Sequence, residues 1–384
     1  MSVAATPVTE STSTGESRSA HRIVDCDVHP YFSDGLKDLV PYLPEAIRYR
    51  LGLHHTETWL NQTGAFQFRL PTNDMYINMS MRIRGDAARD GEVPGSNPAF
   101  VAEHLFDTHG IDRGILTGAN TAGIGAVRDP DIAAALASAW NDWISERWLD
   151  ADERYRGSIL VAPQDPVKAA AEIHRVADRP GFVQVQLPPL DILMGERHWY
   201  PMYEAAVEHG LPVAVHPSAT ESIFQRAPML GGVPTYYLEW HVGLTIPNQS
   251  NVLSLVAHGV FERFPTMKYV LVEGGFAWAI DLLWRLDRDW AALRAEVPWV
   301  KRPPSEYVFE HVRFTTQPFY EPAKREHLVA VLDALRAEET LMFSSDYPHW
   351  DFDDPSRALK LVPKEARERI YAGNAIELYG SRLD

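Results

Sequence analysis

From about residue 21 onward, the chain alternates apolar runs of strand length with amphipathic runs of helix length. This alternation is typical of β/α units around a parallel sheet, whose strands are buried on both faces and are therefore apolar throughout. Eight apolar runs are predicted as strands: Ile23–Val28, Gly114–Thr117, Ser158–Ala162, Phe182–Leu187, Pro212–His216, Lys268–Val272, Val312–Thr315 and Leu341–Ser345.

Eight such units predict the α/β class and a (β/α)8 TIM-type barrel. A doubly wound open sheet is the competing architecture, but the glycine-rich loop that it usually needs after its first strand is missing. Two inserted segments, about 30–97 and 217–247, interrupt the pattern, and we expect both to cover the C-terminal mouth. Residues 1–20 are small and polar and are predicted to be a disordered tail, which leaves 21–384 as one barrel domain.

Composition and charge exclude several classes of function. The net charge of −16 over 384 residues argues against a nucleic-acid partner, which would require basic clusters. No apolar run approaches the roughly 20 residues of a membrane span. Cys26 is the only cysteine, so no internal disulfide is possible. These features predict a cytoplasmic protein without membrane contact.

Polar side chains stand at the C-terminal ends of the predicted strands, where barrels of this kind carry their chemistry. They are His29 on the first strand, His216 on the fifth, Glu273 on the sixth and Asp346 on the eighth, with Asp27 one inward step below His29. A histidine at one strand end is most often a satisfied core or capping residue. Five such residues in register instead predict a site for a divalent cation that accepts nitrogen and oxygen ligands.

Several motifs together resemble the amidohydrolase superfamily, in the branch that includes the amino-carboxymuconate-semialdehyde and resorcylate decarboxylases. They span nearly the whole chain beyond the tail: Val24-Asp25-Cys26-Asp27-Val28-His29, Val215-His216-Pro217, the block Gly259–Pro265, Ser344-Ser345-Asp346-Tyr347-Pro348 and Gly373-Asn374-Ala375. The resemblance implies that Asp27, His29, His216 and Asp346 hold one divalent metal.

The chain also departs from that branch. Decarboxylase members usually carry a His-x-Gly near the end of strand six, whereas this chain has Glu273-Gly274-Gly275, and it has an additional histidine at His258. Counting both, three carboxylates and three imidazoles are metal-ligand candidates, which is more than one mononuclear site needs and favours two adjacent ions. The alternatives are a His258 packed on its helix and a Glu273 that caps a helix.

A second resemblance follows from the stretches Val272–Trp278 and Ser345–Asp351, which are similar to non-haem dinuclear iron or manganese/iron monooxygenases typified by the 2-aminoisobutyrate hydroxylase component. It implies that the protein uses O2 to hydroxylate a C–H bond of a small, carboxylate-bearing substrate. It further implies a homo- or hetero-oligomer with a second amidohydrolase-like subunit, and electron supply from a Rieske-type ferredoxin and its reductase.

Two other functions stay open. The first is a Zn²⁺- or Mn²⁺-dependent decarboxylase or hydrolase, with His258, His349 or Asp25 as the proton carrier. The second is a non-catalytic subunit whose metal site is structural.

At the mouth, His349, Glu273 and His258 are the catalytic candidates. Tyr237, His241 and Trp350 are the substrate-binding candidates, with plain packing of the loop and the insertion as the alternative.

Overall fold

Eight parallel strands form the centre of the protein in a computed structural model that describes residues 23–53, 83–118, 122–217 and 237–384. In chain order they are β1 Val24–Val28, β2 Arg113–Leu116, β3 Tyr155–Leu160, β4 Phe182–Gln186, β5 Val213–Val215, β6 Tyr269–Leu271, β7 Val312–Thr315 and β8 Leu341–Met342. Each strand pairs in parallel with the next. The segment around β8 returns to β1, where the Cys26 N–H donates to Phe343 O at 2.9 Å and the His29 N–H donates to Tyr347 O at 2.7 Å. The predicted α/β barrel is therefore confirmed as a nearly closed (β/α)8 architecture.

Helices follow the strands, as the pattern predicts. The α-helices are α1 Glu45–Arg50, α2 Pro98–Val101, α3 Pro130–Ile144, α4 Pro166–Val176, α5 Tyr200–Glu208, α6 Tyr237–Gly243, α7 Thr245–Ala257, α8 Val260–Arg263, α9 Trp278–Leu293, α10 Pro304–His311, α11 Arg325–Ala334, α12 Ala337–Thr340, α13 Lys364–Glu368 and α14 Asn374–Tyr379. Short 3-10 helices cover Gly35–Tyr42, Ala122–Ala126, Arg197–Trp199 and Gly380–Leu383, and π-helical turns cover Ala102–Thr108, Ser145–Leu149 and Arg369–Gly373.

Two of the long helices begin with the same capping arrangement. Asp129 precedes Pro130 and accepts the backbone N–H groups of the first turn of α3, and Asp165 precedes Pro166 and does the same for α4. The carboxylate satisfies donors that have no partner inside the helix, and proline has no N–H to lose at the first helical position.

Strand β8 is shorter than predicted, because the backbone N–H groups beyond Met342 pair outside the sheet: the Phe343 N–H donates to Ile370 O at 2.8 Å, and side chains accept the next two. The Ser344 N–H donates to Thr316 Oγ1 at 3.1 Å, and the Ser345 N–H donates to Asp25 Oδ1 at 2.9 Å. These bonds replace strand pairing at the C-terminal end of the barrel. The chain is therefore free to turn toward the mouth just before Asp346.

The described part of the first insertion lies against the loop that follows β8. Ile83 forms an antiparallel bridge with His349, and the Arg84 N–H donates to Pro348 O at 2.9 Å. This segment therefore borders the mouth. The predicted tail, residues 1–20, lies outside the described residues, as do parts of both insertions. None of the helices in the described ranges is long and apolar enough to cross a membrane.

Candidate metal centre

The end of β1 brings Asp27 and His29 to the mouth of the barrel. Side chains two apart along a strand point to the same face, so these two residues share one side of β1. Thr117, the residue after β2, holds both of them: its hydroxyl donates to Asp27 Oδ1, and its carbonyl accepts from His29 Nδ1 at 3.1 Å. With Nδ1 as the donor, His29 presents the lone pair of Nε2 to the mouth.

Three other strands bring their terminal residues to the same point. His216 follows β5, Glu273 lies just beyond β6 and Asp346 lies beyond β8. His216 Nε2 is 3.0 Å from Glu273 Oε2 and 3.6 Å from Asp27 Oδ2. His29 Nε2 is 2.7 Å from Asp346 Oδ1. Residues that are up to 319 positions apart thus meet within a few ångströms, as the strand-end pattern predicts.

Two buried polar atoms in this cluster, Asp27 Oδ2 and His216 Nε2, make no well-directed hydrogen bond within the described part of the chain, although Glu273 Oε2 lies 3.0 Å from His216 Nε2. Asp27 is 0 % exposed and His216 is 2 % exposed, so water does not satisfy them from outside. An unpaired carboxylate oxygen and an imidazole nitrogen are costly to bury, but both are ligands for a divalent cation. The residues present therefore fit a metal ion.

The ligand atoms form two overlapping groups in which all atoms lie within 4.8 Å of one another. One consists of Asp27, His29, His216 and Glu273, and the other of His29, Glu273, Asp346 and His349. Ligands at about 2.1 Å from one ion are separated from each other by about 3 to 3.5 Å. The distances above, 2.7 to 3.6 Å, are close to that separation and fit a divalent metal site.

His349 joins the second group although the sequence suggested only a catalytic role for it. Its Nδ1 is 2.6 Å from Asp346 Oδ1, and its Nε2 is 2.9 Å from the hydroxyl of Tyr31. Its ring centroid lies 4.5 Å from that of His29. The imidazole therefore connects the carboxylate of the cluster with a tyrosine on the loop after β1.

Glu273 and Asp346 have a backbone conformation that is unusual for residues with a side chain. Their φ angles are +50° and +61°, and Arg336 is the only other non-glycine residue with positive φ in the described ranges. The left-handed region costs about 1 kcal/mol or more for such residues. The Glu273 N–H is held by Thr315 Oγ1 at 2.9 Å. The two turns aim their carboxylates into the cluster.

Burial and neighbouring charges shift the pKa values of these groups in different directions. Burial raises the pKa of Glu273, and the charge of Asp346 raises it further. Burial also disfavours an ionised Asp346, but His349 and His29 outweigh it and hold the pKa of Asp346 well below its usual range. Asp25 accepts hydrogen bonds from the backbone and hydroxyl of Ser345, yet burial raises its pKa to about 7. Asp25 therefore connects β1 with the segment after β8 through Ser345.

His258 is not brought to this cluster, in contrast to its predicted roles as ligand and catalytic residue. It is the residue after the end of α7, its side chain is exposed, and it lines a surface cleft of about 670 Å³ with Arg197 and Trp299. None of the residues in the ligand cluster described above lines that cleft. His258 follows the last residue of α7 and faces the surface.

The substrate-binding candidates lie at the rim. His241 Nε2, on α6, is 3.3 Å from Asp351 Oδ2, and the His241 ring lies 5.9 Å from the ring of Trp350. Trp350 is 49 % exposed. Tyr237 begins α6, but its side chain lies outside the described part of the structure.

Sequence reasoning missed the residues that position the cluster: Thr117, Thr315 and Tyr31. The first two were the last residues of predicted strands, so the rule that selected the ligands could have selected them. Tyr31 carries no such signal, because its contact with His349 depends on the fold of two loops. Hydroxyl groups at strand ends therefore deserve the same weight as carboxylates and imidazoles.

Comparison with known proteins gives the family context of this site. The amidohydrolase family model matches residues 24–381. A γ-resorcylate decarboxylase from Polaromonas sp. (strain JS666 / ATCC BAA-500) is 24 % identical over 294 residues, which cover 72 % of this chain and 85 % of that protein. A 2-keto-4-carboxy-3-hexenedioate hydratase from Sphingobium sp. (strain NBRC 103272 / SYK-6) is 24 % identical over 309 residues, covering 73 % of this chain and 81 % of that protein.

Among solved structures, a 5-carboxyvanillate decarboxylase from Novosphingobium aromaticivorans DSM 12444, in complex with manganese and a nitrobenzoic acid, has the same fold. Its TM-score is 0.64 at 20 % identity, and the match covers 94 % of this chain and 96 % of that one. The curated relatives are decarboxylases and a hydratase, which overturns the oxygenase hypothesis in favour of the decarboxylase alternative. Iron and O2 lose their support with it, as do the ferredoxin and reductase that only an oxygenase would need.

Proposed function

The chain belongs to the amidohydrolase family, and from this premise we propose that it is a divalent-metal-dependent decarboxylase acting on a small carboxylate-bearing substrate. The observation that carries the proposal is the buried cluster at the mouth, with the unpaired Asp27 Oδ2 and His216 Nε2 at its centre. The decarboxylases among its relatives supply the reaction class.

Asp27, His29, His216 and Glu273 would hold the metal, and manganese is the ion that a structural neighbour binds. A bound divalent ion supplies Lewis-acid stabilisation to anionic oxygens of the substrate. The second group, with Asp346 and His349, supports the expectation of a second adjacent ion. Equilibrium dialysis against manganese that saturates at one ion per chain would restrict the site to the first group.

The protein's own residues must supply the proton that replaces the departing carboxylate. When the C–C bond breaks, CO2 leaves without the electron pair, and the carbon that keeps the pair takes up one proton. By the family resemblance, Glu273 stands where decarboxylase members usually carry a histidine. With one ion held by the first group, we therefore assign proton delivery to His349, whose Nδ1 lies 2.6 Å from Asp346 Oδ1 and whose Nε2 lies 2.9 Å from the hydroxyl of Tyr31.

The burial of the cluster also favours this reaction. The ligand residues are nearly inaccessible to solvent, so their electrostatic interaction with a charged substrate would be strong. The rim residues Trp350 and His241 and the segment around Ile83 border the opening. We expect them to limit the entry of water while the carbanion-like carbon awaits its proton.

The test is CO2 release under anaerobic conditions from manganese-loaded protein in D2O, with 2,6-dihydroxybenzoate, 5-carboxyvanillate and related phenolic acids as substrates. We expect CO2 from at least one of them and a product with deuterium on the carbon that lost the carboxylate. His349→Gln should lower kcat while manganese still binds, and Tyr31→Phe should lower it less. Absence of CO2 from the whole panel with fully metal-loaded protein would refute the proposal.

A metal-dependent hydratase or hydrolase is the second candidate, favoured by the hydratase among the curated relatives. The same cluster would then activate water in place of binding a carboxylate. Incorporation of ¹⁸O from labelled water into product without CO2 release would select this reaction. A structural site in a non-catalytic subunit would give neither result. Assembly with a second amidohydrolase-like subunit and a cytoplasmic location remain predictions, which size measurement of the purified protein and localisation of a tagged chain would test.

A further inference from the structure

A charged pair outside the metal cluster stands at the rim of the mouth. It consists of His241 on α6 and Asp351 on the loop after β8, with 3.3 Å between Nε2 and Oδ2. The two side chains are 20 % and 15 % exposed, so they are neither core nor free surface. Gln317, just beyond β7, donates from Nε2 to Asp351 Oδ2 at 3.0 Å. Three separate elements thus fix the position of this pair.

The pair favours a positively charged imidazole in a mouth that holds several carboxylates. Burial opposes protonation of His241, but the hydrogen bond and charge of Asp351 outweigh it and raise the pKa of the imidazole. Asp351 lies two residues beyond His349, whose Nδ1 is 2.6 Å from Asp346 Oδ1, so the pair is close in the chain to the cluster. Neither of the two candidate ligand groups includes His241. It therefore has no part in metal binding that would explain its position.

An aromatic side chain accompanies this cation. The ring of Trp350 lies 5.9 Å from that of His241 and is half exposed at the rim. Flat apolar surface beside a fixed cation suits a planar substrate with a charged substituent. The metal cluster would engage one acidic group of such a substrate, and the rim would engage another.

We propose that His241, positioned by Asp351 and Gln317, binds a second anionic group of the substrate and so selects planar acids that carry two acidic groups. This inference rests on the proposed function, since it takes the substrate carboxylate to lie at the metal cluster. It assigns His241 as a specificity residue and Asp351 as a positioning residue. A charge-assisted hydrogen bond of this kind changes affinity by about tenfold or more.

The experiment measures binding instead of turnover. Manganese-loaded protein is titrated calorimetrically at neutral pH with benzoate and with the three benzenedicarboxylate isomers. We expect at least one dicarboxylate to bind about tenfold more tightly than benzoate. In His241→Gln this advantage should disappear while the affinities for benzoate and manganese stay within about twofold of their original values. Asp351→Asn should reduce the advantage in part, because the imidazole remains but its orientation and charge are less well fixed.

His327→Gln is the matched control, since His327 is an exposed histidine on α11 and belongs to neither the cluster nor the rim pair. It should keep the full preference for the dicarboxylate. Equal weakening of benzoate and dicarboxylate in His241→Gln would overturn the inference, as would an unchanged preference. With a turnover substrate in hand, a loss of kcat at constant KM would also overturn it, because that result assigns His241 to the chemical step.

The binding assay separates this inference from the proposed function. If the dicarboxylate preference depends on His241 but no CO2 is released from any substrate, the rim site stands and the decarboxylase proposal fails. If CO2 is released but benzoate and the dicarboxylates bind equally, the decarboxylase proposal stands and the rim site fails.

Discussion

Replacement of Thr117 by valine should weaken metal binding without touching a ligand. The Thr117 hydroxyl is the donor to Asp27 Oδ1, while the other oxygen of that carboxylate has no partner in the described residues. Valine has nearly the same shape but no hydroxyl, so Asp27 would lose its orientation. The Thr117 carbonyl, which accepts from His29 Nδ1, remains in place. Loss of a partner that orients a ligand typically costs about 10- to 100-fold in metal affinity.

This loss corresponds to about 1.4 to 2.7 kcal/mol of binding free energy. The assay is competition of the protein with a fluorescent chelator for manganese, repeated with thermal unfolding at a fixed excess of the ion. An ion that binds only the folded state stabilises it by RT ln(1 + c/Kd) at a free ion concentration c, so at an ion concentration far above Kd the manganese-dependent increase in the free energy of unfolding should shrink by the same amount.

Thr316→Val is the matched control for this experiment. Thr316 is likewise a fully buried threonine, and its hydroxyl accepts the backbone N–H of Ser344 at 3.1 Å instead of bonding to a ligand candidate. Both variants should lose about 1 to 3 kcal/mol of metal-free stability, since each leaves a buried polar group unpaired. Only Thr117→Val should lose metal affinity. A manganese dissociation constant within about twofold of the original in Thr117→Val would refute the reasoning that Asp27 is a ligand held by this hydroxyl.

Three other predictions follow from the site. His216→Gln should abolish stoichiometric manganese binding, whereas His258→Gln should retain it, as measured by elemental analysis of the dialysed variants. Loss of the ion from both variants would contradict the placement of His258 outside the metal cluster. Glu273→Gly should be more stable in the metal-free state than Glu273→Ala by about 1 kcal/mol in urea unfolding, because φ is +50° there and glycine accepts that conformation; the opposite order would contradict the strain. Burial raises the pKa of Asp353 to about 7 from an unfolded value near 3.8, so the folded state keeps a proton that the unfolded state has lost, and stability should fall as pH rises from about 4 to about 7. In Asp353→Asn the free energy of unfolding should fall less over this pH range. An equal fall in the variant and in the original protein would contradict the prediction.

Much of the fold was accessible from the sequence because parallel barrel strands are buried on both faces. The apolar run Phe182–Leu187 could only be a short buried segment, and the structure has β4 at Phe182–Gln186. The same burial made polar residues at strand ends conspicuous, so His216, Glu273 and Asp346 could be selected before any coordinates were known. The C-terminal ends of parallel barrel strands all lie at the same edge of the barrel. The convergence of these three side chains could therefore be predicted.

The remaining features depend on loop conformation, which periodicity does not encode. His258 has the same residue type as His216 and stands near a predicted helix, but the turn after α7 directs it to the surface. His349 lies three residues past Asp346, and only the turn between them returns its Nδ1 to that carboxylate. The reaction class was predicted wrongly for a related reason. A carboxylate at position 273 is compatible with the roles of metal ligand, helix cap and oxygenase residue alike.

The strained backbone at Glu273 and Asp346 is itself evidence that these carboxylates act. Glycine at position 273 would have adopted this conformation without the backbone cost. A buried carboxylate there adds a desolvation cost to the backbone cost, and Asp346 nearby adds repulsion. His349 and His29 offset the burial of Asp346, whereas at Glu273 the backbone and desolvation costs add, and a cation bound in the cluster is a partner that offsets both. The same reasoning explains why Arg336, the third residue with positive φ, carries no such implication: its side chain packs over Phe309, away from the buried acidic cluster.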